Sequence, residues 1–393
     1  MESRLRRNIC GATALAVLAP TAGISTGARA QSRPETIKVG VALALSGPTS
    51  PLGQAALQGL KLAVEQFTEA GGFEVAGKKY VPELLVNDTG GSPANAVAQA
   101  EKLVMKEGVK LIFGCTYSPA AVPMLAVTQR NKVIQISNST SWESHLGKPG
   151  NDYMFKLVAS QDDTARQYIP LIVRKLGIKT ATMILPNNDA GRAYESTYRE
   201  YGEKNGVRML ETFFYDPKLT DFYPILTKIK GLNPDSIWIG YTNESASVIV
   251  RQTKELNLGA SLVALGTGIT GVAANLPGGQ RAEGFVFATQ FDPESTNAGQ
   301  VDLMRRFEKM FGKKVSSDFN YVMWYNQALH LFVDAMKKTG TVSDTTRIMG
   351  VVRDSNYAGP YGYPWQIDKT GLNHYGYYLG EVKGGRDTYT LIR

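Results

Sequence analysis

From Thr36 onward the chain alternates short apolar runs with amphipathic stretches, and it does so in two successive series. IKVGVALAL reads as a strand. The residues after it place Ala56, Leu60, Ala63, Val64 and Phe67 at three- and four-residue spacing until Gly71-Gly72 stops the helix. YVPELLVND, a helix from Pro93 to Lys106, KLIFG, a helix ending near Arg130 and KVIQIS continue the alternation. Such a βαβ series calls for a mostly parallel sheet with helices on both faces.

The second series runs through RQYIPLIVRKLG, TATMILP, AGRAYESTYREYGEKNG, VRMLETFFY, FYPILTKIKGL, SIWIGYT, ESASVIVRQTKELNL and LVALGTG. Two series of similar size indicate two similar domains, and FKLVASQDD between them leaves no room for a long linker. After AEGFVFATQFD come two helices, VDLMRRFEKMFG and YVMWYNQALHLFVDAMKKTG, and then the aromatic-rich β segments YGYPWQID and HYGYYLGEV. Pro119 can open a helix, but Pro123 lacks an N–H that the next turn needs, so that helix either kinks or starts later.

The N-terminus is of another kind. MESRLRR is basic, ATALAVLA is apolar but far too short to span a bilayer, and Ala28-Arg29-Ala30 before Gln31 fits a cleavage site. Residues 1–30 therefore read as a secretory signal peptide, with the mature chain beginning at Gln31 and a periplasmic location expected. Cys10 precedes the apolar run and so is no lipoprotein cysteine, and Arg6-Arg7 matches a twin-arginine signal poorly in its surroundings. Without residues 1–30 the chain keeps 39 Lys and Arg against 34 Asp and Glu, a net charge of +5 in place of +8. No basic block stands out, so nucleic acid is not expected as a partner. Cys115 remains as a single cysteine, so no intramolecular disulfide is expected.

Reactive chemistry finds little support. His145, His330 and His374 show no metal-ligand spacing, there is no GxSxG elbow, and no phosphate-binding GxxxxGK[ST] occurs. GTGITG lacks the dinucleotide spacing. We expect no enzyme, no cofactor and no metal. Two strands instead end in hydroxyls: KLIFG opens into Thr116, Tyr117 and Ser118, and KVIQIS into Asn138, Ser139, Thr140 and Ser141. Helix starts at such junctions attract anions such as carboxylates, although each hydroxyl could equally be a helix cap.

The order of IKVGVALALSGPTSPLGQAALQG, NDTGGSPANAVAQAEKLV, GCTYSPAAVP and KVIQISNSTS after a secretory signal resembles the leucine/isoleucine/valine-binding proteins of bacterial ABC transporters. The resemblance runs from about Ile37 to the C-terminus. It implies an α/β protein of the type I periplasmic binding fold, two doubly wound lobes joined by three crossovers. Lobe 1 would comprise 31–158 plus 288–360, and lobe 2 would comprise 159–287 plus 361–393.

It also implies a ligand site. Ser118 falls where a hydroxyl meets the ligand carboxylate, with Tyr117 beside it, and Ser139 and Ser141 fall where a backbone group and a hydroxyl do the same, with Thr140 between them. Leu52 takes a position often held by an aromatic side chain. Tyr241 or Thr242 falls near an aromatic contact, with Asn243 next to it, and Ala190 stands where a Tyr is frequent. After LVALGTG, where amino-acid binders place an acid for the ligand ammonium, this chain has Thr267 and Gly268 in the run Gly266 to Thr270. A carboxylate without an amine, aromatic or aliphatic, thus competes with an amino acid, unless Asp189 or Glu244 supplies the charge. The implied role is a monomeric solute-binding protein that serves a membrane permease. The alternative is an amide or urea sensor of the same fold, which as a cytoplasmic protein would carry no signal peptide.

Overall fold

The computed structural model describes residues 33–392 apart from 48, 241, 316–318 and 363, and at Thr140 and Ser141 it describes the backbone alone. The signal peptide read over 1–30 lies outside the described residues, as does Tyr241.

The first series gives β1 (Glu35–Leu43), α1 (Ser50–Glu69), β2 (Phe73–Val75), β3 (Lys78–Asp88), α2 (Pro93–Glu101), β4 (Leu111–Phe113), α3 (Ser118–Arg130), β5 (Ile134–Ser137) and β6 (Met154–Lys156). Its sheet has the order β2-β3-β1-β4-β5-β6, parallel throughout except for the edge strand β2. The second series gives α4 (Gln161–Leu176), β7 (Thr180–Pro186), α5 (Asp189–Lys204), β8 (Arg208–Tyr215), α6 (Tyr223–Leu232), β9 (Ser236–Gly240), α7 (Asn243–Glu255), β10 (Ser261–Leu265) and β11 (Val286–Thr289). There the parallel order is β8-β7-β9-β10-β11. Leaving aside the antiparallel edge strand β2, both lobes thus repeat one doubly wound pattern, in which the second parallel strand lies outside the first and the remaining parallel strands follow on its other side. That reversal opens a crevice at the strand ends.

The rest of the chain returns to each lobe in turn: α8 (Ala298–Phe311), α9 (Phe319–Thr339), α10 (Thr345–Val352), β12 (Ser355–Tyr357), β13 (Trp365–Ile367), β14 (Asn373–His374), β15 (Tyr377–Lys383) and β16 (Arg386–Ile392). Helix α9 packs on α1 so closely that a Cβ on Gly59 would lie 2.2 Å from Val322 O, so only glycine fits there. Trp365 of β13 packs on Phe155 at 6.2 Å between ring centroids, and Leu372 bridges Lys156. The chain therefore runs beside β6 as far as Leu372. β15 then extends the second sheet antiparallel to β11, and β16 follows as its edge strand, antiparallel to β15.

Each sheet buries both faces. α1 and α9 cover one side of the first with Leu60, Ala63, Leu329 and Phe332, while α2 and α3 cover the other with Ala96, Ala100, Ala121 and Met124. α4 and α5 bring Tyr168, Ile169, Tyr194 and Tyr198 to the second sheet, with α6 and α7 behind it. The helix after Tyr117 starts at Ser118, carries Pro119 in its first turn and continues through Pro123.

Candidate functional site

Strands β4 and β5 end side by side, and a hydrogen-bonded ladder fixes the loops that leave them. Gln135 Nε2 donates to Gly114 O at 3.0 Å and Ala121 O at 3.1 Å, while its Oε1 accepts from Thr128 at 2.7 Å. Above it, Ser137 Oγ donates to Cys115 O at 2.5 Å and accepts from Ser139 N at 3.0 Å. Ser139 Oγ then donates to Ser118 Oγ at 2.9 Å.

These serines do not act as caps. The N-cap of α3 is Tyr117, and no side chain caps that helix; nor does one cap the 3₁₀ turn Thr140–Ser144, whose N-cap is Ser139. Elsewhere Ser92, Ser160, Asn188, Asn297 and Asp344 each accept from a first-turn N–H. A helix start without a side-chain cap, beside two linked hydroxyls, suits a carboxylate.

The wall they form faces lobe 2 across a cavity. Of the residues expected from the sequence, Leu52, Tyr117, Ser118, Thr242, Thr267 and Gly268 line it. Ser139 stands behind Ser118, 1% exposed. Thr242 caps α7 by accepting from Ser245 N at 3.5 Å. Asn243 is turned away to brace the loop after β10, where its Oδ1 accepts from Thr270 N at 2.8 Å. Thr140 and Ser141 occupy the 3₁₀ turn next to Ser139.

Thr116 and Asn138, noted in the sequence only as part of the polar strand ends, also line it, and so do Val158, Gln161, Tyr194, Tyr321 and Trp324, which the sequence did not single out. Tyr194 stacks on Tyr198 at 5.5 Å, and Tyr198 OH donates to Gln161 Oε1 at 3.1 Å. Burial holds the Tyr198 phenol well above the ordinary tyrosine pKa, so it stays a donor. Gly266, at φ +68°, leaves the space that Tyr194 needs, since a Cβ there would meet Tyr194 OH at 2.6 Å. Trp324 donates its indole N–H to Gln290 Oε1, and Tyr325 OH donates to Asn138 Oδ1 at 3.0 Å. A signal for Tyr194 was present: it lies four residues beyond Ala190, hence on the same helix face.

No acidic side chain is among the described residues lining this cavity. Asp189 lies in a neighbouring cavity with Glu143 and His145, and Glu244 lies in another with Tyr215 and Lys218. No cluster of three or more His, Cys, Asp or Glu able to hold a metal occurs among the described residues, and none of their helices is long and apolar enough to cross a membrane.

The first crossover, between β6 and α4, is held by a buried charge. Lys156 is fully buried, and its ammonium donates to Val158 O at 3.0 Å and Ala159 O at 3.1 Å and pairs with Glu143 Oε1 at 3.2 Å. Burial pulls its pKa below the ordinary lysine value, and the Glu143 carboxylate opposes that shift. Glu143 also accepts from Gln161 N at 3.1 Å, the first residue of α4, so one carboxylate joins lobe 1 to the cavity wall of lobe 2.

A family model described as periplasmic binding protein matches residues 36–387. The Leu/Ile/Val-binding protein homolog 3 of Brucella melitensis is 22% identical over 318 residues, 81% of this chain and 83% of that protein. An amino acid binding protein of Pseudomonas aeruginosa is 26% identical over 302 residues, 77% of each chain. Among solved structures, an ABC transporter solute-binding protein of R. palustris in complex with benzoate superposes with a TM-score of 0.77 at 21% identity, covering 91% of this chain and 96% of that one. The branched-chain amino acid transporter substrate-binding protein of Streptococcus pneumoniae in complex with isoleucine gives 0.77 at 21% identity, covering 91% and 100%. At that identity these two speak for the fold, which is that of type I periplasmic binding proteins. With the family model spanning nearly the whole chain, the protein belongs to the periplasmic binding protein family that includes the Leu/Ile/Val-binding proteins.

Proposed function

We propose that this protein is the periplasmic solute-binding component of an ABC importer, and that it closes on a small aromatic carboxylate without an α-amino group for delivery to a membrane permease. The observation that carries the reading is the composition of the cavity. One wall offers the uncapped start of α3 with Ser118, backed by Ser139, the others offer Tyr117, Tyr194, Tyr321 and Trp324, and no described lining residue is an acid. An ammonium buried there without a counter-charge would be costly, whereas an aromatic ring meets aromatic walls.

Both ligand classes occur among the structural neighbours, benzoate in one and isoleucine in another, and the absence of an acid from the described lining supports the former. Residues 1–30 serve in this reading as the export signal. The protein acts as a monomer, and two lobes joined by short crossovers close on the ligand by a hinge.

A thermal-shift screen of benzoate, hydroxybenzoates, branched aliphatic acids, leucine, isoleucine, phenylalanine and urea tests this. A ligand at about a hundred times its Kd stabilises by roughly 2.7 kcal/mol, and the expected shift comes from an aromatic acid. Shifts from the amino acids alone would overturn the assignment of ligand class.

A further inference from the structure

Several polar groups of the cavity wall have partners within the protein. Asn138 Oδ1 accepts from Tyr325, Gln161 Oε1 accepts from Tyr198, the Trp324 indole donates to Gln290, Thr242 caps α7, and Ser118 accepts from Ser139. Thr116 is different. Its Oγ1 is buried and has no hydrogen-bond partner among the described residues, in a residue that is 8% exposed. Of the described atoms in that condition, it is the one whose residue lines the cavity. The hydroxyls that contact the preceding residue are engaged there, Thr89 with Cys115 Sγ at 3.4 Å and Ser137 with Cys115 O.

Buried hydroxyls are nearly always paired, and leaving one unpaired is costly, so a group of this kind in a binding cavity implies a partner supplied by the ligand. A hydroxyl both donates and accepts. The start of α3 and the Ser118–Ser139 pair already provide for a carboxylate. What remains for Thr116, among aromatic walls, is a polar substituent on the ring.

We propose that Thr116 is a specificity-determining residue that reads a ring hydroxyl, so that the preferred ligand is a hydroxylated aromatic carboxylate over the bare one; this rests on the aromatic-acid reading above. A site that hydrogen-bonds a ligand hydroxyl rejects the analogue lacking it, because its own polar group is then left unpaired. Valine has the shape of threonine without the hydroxyl, and Thr116→Val therefore removes the reader while filling the same space.

The test is calorimetry of benzoate and its ortho, meta and para hydroxy derivatives against the full-length mature protein, Thr116→Val and Thr116→Ser. The wild type should bind one hydroxybenzoate isomer at least about tenfold more tightly than benzoate. Thr116→Val should reduce that ratio to within about twofold of one, chiefly by weakening the hydroxybenzoate, and Thr116→Ser, which keeps the hydroxyl, should retain the preference. Equal weakening of all four acids in Thr116→Val would assign the hydroxyl to the carboxylate and overturn the proposal, and so would unchanged affinities. If Thr116→Val does not fold, loss of the preference in Thr116→Ser overturns it. Wild-type binding of aromatic acids without any such preference sinks this inference alone, whereas no binding of any aromatic acid sinks the ligand class beneath it as well.

Discussion

Replacing Lys156 with Met should destabilise the protein by about 3–5 kcal/mol, the usual cost of breaking a buried ion pair by removing one partner. Lys156 has all three of its donors placed, on Val158 O, Ala159 O and Glu143. Methionine fills much of the volume but leaves two crossover carbonyls without their donor and Glu143 without its counter-charge. Replacing the whole pair is a different matter, since Lys156→Met with Glu143→Leu removes the buried charge together with its partly exposed partner and should recover part of the loss. Urea unfolding of the wild type, the single variant and the double variant measures both quantities. A single-variant loss under about 1 kcal/mol would show that the pair does not hold the crossover.

The second large effect falls on binding. Hydrogen bonds to charged groups contribute roughly 1.5–3 kcal/mol, so Ser118→Ala should raise the ligand Kd by about ten- to a hundredfold. The melting temperature of the free protein should move little, because Ser118 caps no helix and the variant gives up a hydroxyl pair with Ser139 worth about 1 kcal/mol. Calorimetry with the best ligand of the thermal-shift screen and a melt of the free variant separate the two roles. A lowered melting temperature with unchanged affinity would make Ser118 a packing residue.

What could be read in advance follows the strength of the periodic signal. The long helices and the strands with four or more apolar residues stood out, and the motif order from Ile37 onward pointed to the family that the match over residues 36–387 supports. Three-residue strands such as β2 and β6 are too short to show a period, and β12 and α10 also escaped notice. β6 matters most among these, since it carries Lys156. A lysine in MFK gives no sign of complete burial until Leu372 and Trp365 are seen to pack beside that strand.

The same limit explains the site. Leu52, Ser118, Thr242, Thr267 and Gly268 lie at strand-to-helix junctions, where position in the motif is enough to find them. Tyr321 and Trp324 belong to a helix that reads as core along its whole length, and only their packing at its first turns brings them to the cavity. Gln161 reaches it because Glu143 fixes the start of α4. Thr116 was visible as one hydroxyl among several; its lack of a partner is a property of the folded state alone.

In the proposed function the cavity takes a carboxylate and has no counter-charge for an ammonium. Titration calorimetry with phenylpropanoate and phenylalanine, a pair that differs by the amine alone, tests it most directly. The acid should bind the more tightly, by at least about tenfold, because the amino acid must bury a charge with no carboxylate to meet it. Tighter binding of phenylalanine would contradict the account and direct attention to Asp189 and Glu244 as the source of the missing charge.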